Sequence, residues 1–108
     1  MDEKVYRQLV DGVFHKVDAA FESVDPDMAE SINSQGTLTV VFNQKLRLIL
    51  SPQAPVRQIW MAFKDRAWHF SLDGGTGAWM DDRGQGIELY RLIEDTTRTA
   101  TGQSVKIV

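Results

Sequence analysis

The 108-residue sequence contains no cysteine. That absence excludes disulfides, thiolate metal sites and a cysteine nucleophile. With only two histidines as well, nothing points to a nucleophilic triad. No apolar run approaches the ~20 residues that a membrane-spanning helix needs. There is no phosphate-binding loop, no dinucleotide fingerprint, no HExxH and no Gly-x-Ser-x-Gly. The glycines near Gly75 are followed by Ala78 and Trp79, so no helix opens there to cradle a phosphate. The opening Met1-Asp2-Glu3-Lys4-Val5-Tyr6 carries neither an apolar signal core nor an Arg/Ser-rich transit segment, and the expected address is cytoplasmic.

What is present describes one globular domain over residues 1–108, with 43% apolar residues. The net charge of −3 is unevenly placed. Met1 to Gln35 holds eight acids and three bases, net −5, whereas Gly36 to Val108 holds seven acids and nine bases, net +2. A local acidic region favours cations or a basic partner over nucleic acid.

Apolar residues recur at helical spacing from Glu3 to Val24: Tyr6, Leu9, Val10, Val13, Val17, Ala20, Phe21 and Val24. Pro26 and its neighbouring aspartates end that helix. Strands are predicted over 37–42, 45–50, 58–64, 67–73 and 78–82, with alternating inward residues such as Leu38, Val40, Phe42, Ile59, Met61, Trp68 and Phe70. Asn43-Gln44 forms a short hairpin link without glycine. A second helix spans Ile87 to Thr101, with Leu89, Leu92, Ile93, Thr96 and Ala100 inward and Gly102 as its stop. Ser104 to Val108 trails behind. The expected fold is α+β, a two-layer α/β sandwich in which two helices cover one face of an antiparallel sheet. The other face is left open.

The clearest polar pattern lies on the first helix. Asp11, His15, Asp18 and Glu22 fall within ~60° of arc at ~100° per residue. Asp25, Asp27 and Glu30 continue the stripe. Carboxylates are hard ligands suited to Fe²⁺, Mn²⁺, Ca²⁺ and Mg²⁺. An exposed helix face is ordinarily charged, so the pattern fits a solvated surface as well as a functional ridge. A convex stripe holds a cation weakly, through one or two carboxylates plus water. His15 could add an imidazole or serve only as a polar surface residue. The open sheet face presents Thr39, Val41, Arg47, Ile49, Gln58, Trp60, Ala62, Lys64, His69 and Ser71. There Trp60 is either a binding anchor or a ring covered by twist or loop. His69 reads as a polar surface residue, Trp68 and Trp79 as core, and Asp81-Asp82 as a turn pairing with Arg83.

Three motifs carry a family resemblance. The segment from Pro52 to Ala62, ending Gln58-Ile59-Trp60-Met61-Ala62, resembles a frataxin segment ending Gln-Val-Trp-Leu-Ala. Trp68-His69-Phe70 resembles the family's Tyr-His-Phe, and Trp79-Met80-Asp81-Asp82-Arg83 its Trp-x-x-Asp-Arg. They stand in order and at matching spacing, and the helix–strands–helix order extends the match over nearly the whole chain. The sequence is therefore similar to the frataxin family, in its bacterial CyaY-type branch.

That resemblance implies a non-catalytic iron-binding protein of iron–sulfur cluster assembly. It implies weak, reversible binding of iron (Fe²⁺/Fe³⁺), without an organic cofactor, on an acidic ridge of the first helix and first strand. The matching positions are Asp11, Asp18, Glu22, Asp25, Asp27 and Glu30. It implies docking on the cysteine desulfurase and on the iron–sulfur scaffold protein. The partner-binding residues would be Trp60, Gln58 and Arg57 together with Asp18 and Glu22. A monomer that iron can drive into oligomers is expected, with no nucleic-acid or membrane partner. The ridge is thinned, because Ala19, Ser23, Met28 and Ile32 replace acids and Arg7 stands where relatives carry histidine. Iron binding of low affinity at few sites follows. His15 lies outside the family pattern. A metal-independent interaction module is the alternative. A ferroxidase would require a buried, convergent carboxylate/histidine cluster, which a convex stripe does not supply.

Overall fold

Alternating burial builds the sheet, and a 3.6-residue period lays two helices on it. The computed structural model describes residues 1–107; Val108, the last residue of the expected domain and of its trailing segment, lies outside the described residues. The chain runs α1 (Glu3–Phe21), β1 (Ala29–Ser34), β2 (Thr37–Phe42), β3 (Leu46–Gln53), a 3₁₀ turn (Ala54–Val56), β4 (Gln58–Phe63), β5 (Arg66–Leu72), β6 (Trp79–Asp81) and α2 (Leu89–Thr101). The six strands form one antiparallel meander in the order β1-β2-β3-β4-β5-β6. Both helices cover the face that carries Leu38, Val40, Phe42, Leu48, Leu50, Ile59, Met61 and Phe70, all fully buried. This is the expected two-layer α+β sandwich.

Phe42 stands near the middle of the core. Its ring meets Phe21 of α1 at 6.3 Å and Phe63 of β4 at 5.9 Å between centroids. Burying each such side chain contributes on the order of 1.5–3 kcal/mol. Trp68 and Trp79 are buried, as expected. On α1 the buried residues are Tyr6, Val10, Val13, Phe14, Val17 and Phe21. Phe14 replaces Leu9 in the expected set: Leu9 is 37% exposed, at the flank of the stripe. On α2 the buried set is Leu89, Ile93 and Thr97. Thr97 disposes of its hydroxyl by donating to the Ile93 carbonyl at 2.8 Å.

In the first half of the chain, three departures from the sequence prediction each have a local reason. First, α1 stops at Phe21 rather than Val24. Pro26 biases Asp25 away from helical backbone, and the chain tightens into turns closed by Val24 N–H on Phe21 O and Met28 N–H on Asp25 O. Second, β1 was not assigned from periodicity. As an edge strand it buries only Ala29, so Ala-Glu-Ser-Ile-Asn-Ser shows no alternation. Third, β3 continues through Pro52, whose fixed φ suits extended chain near a strand end.

The turns explain the register. Gln35 and Gly36 take positive φ of 54° and 80°, joining β1 to β2 with Ser34 opposite Thr37. Asn43 and Gln44 also take positive φ, 54° and 62°, so the expected glycine-free link does adopt left-handed turn backbone.

One buried polar contact ties α1 to the sheet. Tyr6 is fully buried, and its phenol donates to the Gln58 carbonyl at 2.5 Å. Burial holds its pKa above the usual tyrosine value. Tyr6→Phe leaves that carbonyl short of a donor and is expected to cost about 1 kcal/mol. Thermal denaturation should show a Tm lowered by roughly 4–8 °C, with an unchanged far-UV CD spectrum.

Candidate functional site

The polar stripe of α1 points away from the core, and β1 lies along one flank. Asp11, His15 and Glu22 are exposed, while Asp18 is half-buried because β1 reaches it. The Ser31 hydroxyl of β1 donates to Asp18 Oδ1. After the helix, Asp25 Oδ1 accepts the Asp27 N–H at 3.0 Å, and Asp27 Oδ1 accepts from Gln44 Nε2 at 3.0 Å. These contacts give the turn a fixed shape and leave its carboxylates facing solvent.

Asp18, Glu22 and Glu30 border one shallow groove of about 230 Å³ between α1 and β1. Alternation along β1 sends the Glu30 side chain to the sheet face opposite to that of Ser31. Asp11 borders a different groove, with Tyr6, Phe14 and Asn33. Among the described residues, no three Asp, Glu or His side chains converge closely enough to enclose a metal ion. The ridge is therefore an open line of charge, in which Asp18, Glu22 and Glu30 border the same groove without converging.

The ridge acids are also unneutralised. Among the described residues the ion pairs are Glu3–Arg7 and Asp95–Arg98, and Asp82 lies beside His69, a pair that is ionic only when the imidazole carries a proton. None includes Asp11, Asp18, Glu22, Asp25, Asp27 or Glu30. Their field is free to attract a cation or a basic surface.

The open sheet face carries a second, more structured constellation. Trp60 of β4 and His69 of β5 are cross-strand partners, stacked at 4.1 Å between centroids and 13° between planes. Trp60 Nε1–H donates to Gln58 Oε1 at 2.8 Å. Gln58 Nε2 in turn donates to Ser71 Oγ at 3.0 Å and Asp82 Oδ2 at 3.3 Å. Asp82 Oδ2 lies 3.6 Å from His69 Nδ1. Trp60 is half-buried, with one ring face occupied by His69 rather than by a loop.

Asp82 thus faces His69 and Gln58, not Arg83 as the sequence suggested. The cause is Asp81, whose carboxylate captures the loop that follows. Its Oδ1 accepts from Ile87 N–H at 2.9 Å, and its Oδ2 from the N–H groups of Arg83 and Gln85 at 3.2 Å each. The loop curls around Asp81. That also holds Ile87 and Glu88 extended, so α2 begins at Leu89 rather than Ile87. Glu88 caps it by accepting from Tyr90 and Arg91 N–H.

Arg57 stands apart from Trp60. Its backbone is left-handed, at φ 54° and ψ 44°. Its guanidinium lies 5.8 Å over the Tyr6 ring and donates to the Ala54 carbonyl. Of the expected partner-binding residues, the structure joins Gln58 with Trp60 and places the Arg57 guanidinium at the N-terminal end of α1. The sequence places His69 and Ser71 on the same face as Trp60 but does not bring them into contact with it, and it leaves Asp82 outside the group. The available signal was the β4–β5 turn: two residues at Lys64-Asp65 put Trp60 opposite His69, whereas the expected strand limits placed the turn one residue later.

Comparison with known proteins covers the whole molecule. A family model described as a frataxin-like domain matches residues 1–103. The iron–sulfur cluster assembly protein CyaY of Pseudomonas aeruginosa is 38% identical over 106 residues, covering 98% of this chain and 96% of that protein. The protein of the same name from Tolumonas auensis is 32% identical over 107 residues, covering 99% of each. Among solved structures, the frataxin of Psychromonas ingrahamii superposes with a TM-score of 0.90 at 23% identity, over 100% of this chain and 99% of that one.

Asp81 gives a test of the loop that positions Asp82. The donated Ile87 N–H is the main cause holding its pKa below the ordinary 3.8, with Gln85 and Arg83 adding to it. A lowered folded-state pKa contributes stability that is complete above the ordinary value and is lost as pH falls through the folded one. Asp81→Asn faces an N–H group with its own amide and should melt several degrees lower at pH 7. The gap between variant and wild type should narrow below pH ~4 as the wild-type carboxylate protonates. A gap independent of pH would mean that the charge of Asp81 is not what holds the loop.

Proposed function

The chain belongs to the frataxin-like family, and from that premise we propose that it serves iron–sulfur cluster assembly as a non-catalytic adaptor whose acidic ridge binds iron weakly and docks on the cysteine desulfurase. One observation carries this reading: six carboxylates, Asp11, Asp18, Glu22, Asp25, Asp27 and Glu30, run along α1, the turn after it and the start of β1, and among the described residues none is in an ion pair. Uncompensated charge on a convex edge attracts without enclosing. Iron would meet one or two carboxylates, with water completing its shell. Asp18 and Glu22, one helical turn apart beside the β1 groove, are the best-placed pair. Asp11 is remote from them, which limits the number of sites.

The same charge suits a basic protein surface. Long-range attraction to such a surface raises the association rate and weakens with salt. The open face supplies a second contact, where Trp60 with Gln58 would seat the scaffold protein. Arg57 would contribute by fixing the 3₁₀ turn before β4 rather than by reaching that partner. The two surfaces lie on different sides of the sheet, which would allow one copy to hold desulfurase and scaffold together. A metal-independent interaction module is the second reading, supported by the open, unconverged layout of the ridge.

Titration with Fe²⁺, followed by NMR, separates the two readings. Selective broadening at Asp18, Glu22 and neighbouring amides is expected for iron binding; uniform spectra along Asp11 to Glu30 favour the metal-independent module. The double reversal Asp18→Lys/Glu22→Lys should weaken desulfurase binding by about tenfold or more, with the CD spectrum retained. Unchanged affinity would remove the ridge from the docking surface.

A further inference from the structure

The best-connected polar group outside the ridge is the stack on the open sheet face. His69 is held on three sides. Its ring plane lies on Trp60, 4.1 Å away. Its Nδ1 lies 3.6 Å from Asp82 Oδ2. Its backbone carbonyl accepts the Asp82 N–H at 2.8 Å, which fixes that residue beside it. The His69 and Asp82 side chains are each 38% exposed, so protons from solvent reach both.

Neighbouring strands bring no competing charge to this row. Opposite Trp60 on β3 stands Ser51. The other open-face residues of β4 near the stack are Gln58 and Ala62, and Met80 of β6 pairs with Ser71. Arg83 follows Asp82, with its N–H committed to Asp81. Among the described residues Asp82 is the one charged partner paired with His69.

Histidine is the side chain that ordinarily changes charge between pH 5 and 8. An imidazolium on an indole face gains a cation–π attraction that a neutral imidazole lacks, and it pairs with a carboxylate. We propose that His69 is a proton-operated switch of the open sheet face, protonation clamping its ring between Trp60 and Asp82 and deprotonation returning Asp82 to Gln58 and solvent. The docking face then differs by one unit of charge between the two states, and the rigidity of Trp60 changes with it. Gln58 transmits the change, because it bonds to Trp60 and Asp82 at once. The link to scaffold docking rests on the reading of Trp60 given above; the switch itself belongs to the isolated chain.

The experiment uses the full chain alone, between pH 5 and 8.5. Tryptophan emission, the His69 ring resonances and the Gln58 side-chain amide are followed together. The expected result is one shared midpoint: emission falls on acidification as the stacked imidazolium quenches Trp60, and the Gln58 amide shifts with it. Trp60→Phe should lose the emission change, because Trp68 and Trp79 are buried in the core. His69→Gln should lose both changes, and His15→Gln neither. The proposal is overturned if His69→Gln keeps the wild-type emission profile, or if His69 titrates while Trp60 and Gln58 stay unchanged. Scaffold binding by the Trp60 variant is measured separately, so a failed docking face is distinguishable from a failed switch.

Discussion

One-sided burial governs this molecule. Six strands make a single sheet, and both helices lie on the same face. The core therefore forms between two layers, from Leu38, Val40, Phe42, Leu48, Leu50, Ile59, Met61 and Phe70 below and from the inner faces of α1 and α2 above. Every other feature is placed by that asymmetry. The apolar stripe of α1 must point down, so its polar stripe points out. The sheet's second face has no layer over it, so it carries a mixture of polar, charged and partly exposed apolar side chains with the Trp60–His69 stack among them.

Two carboxylates with ordinary-looking sequence contexts illustrate how local bonding shapes the surface. Asp81 is nearly buried and spends its charge on three backbone N–H groups. Asp82, the first residue after β6, is tied to β5 by its N–H on the His69 carbonyl, and its side chain reaches His69 and Gln58. On the ridge, Asp18 is drawn into contact with β1 through Ser31, Asp25 and Asp27 each accept one hydrogen bond, and Glu22 stays in water. Asp81 is consumed by the fold, whereas the ridge acids keep carboxylate oxygens free for a partner even where one oxygen is hydrogen-bonded.

The sequence was most legible where periodicity is strong. Tyr6, Val10, Val13, Val17 and Phe21 announce α1, and the inward residues of β2 to β5 announce their strands. The ridge was legible as a stripe, because helical spacing converts residue numbers into a face. It was less legible as a site, because the approach of β1 depends on an edge strand whose Glu-Ser-Ile-Asn-Ser has no pattern of its own. The Trp60 cluster was legible only in part. Alternation put Gln58, Trp60, His69 and Ser71 on one face, but their mutual contacts depend on a register that shifts with the position of a two-residue turn. Chain proximity pairs Asp81-Asp82 as a unit with Arg83; that Asp81 takes the Arg83 N–H while Asp82 turns to His69 is visible only in three dimensions.

A line of unpaired carboxylates, presented rather than enclosed, is the core of the functional account. Its most direct test is the affinity of this chain for the cysteine desulfurase measured across ionic strength. The account predicts binding that weakens steadily as salt rises, because the attraction comes from solvent-exposed charge. Affinity that stays constant from low to high salt would contradict it.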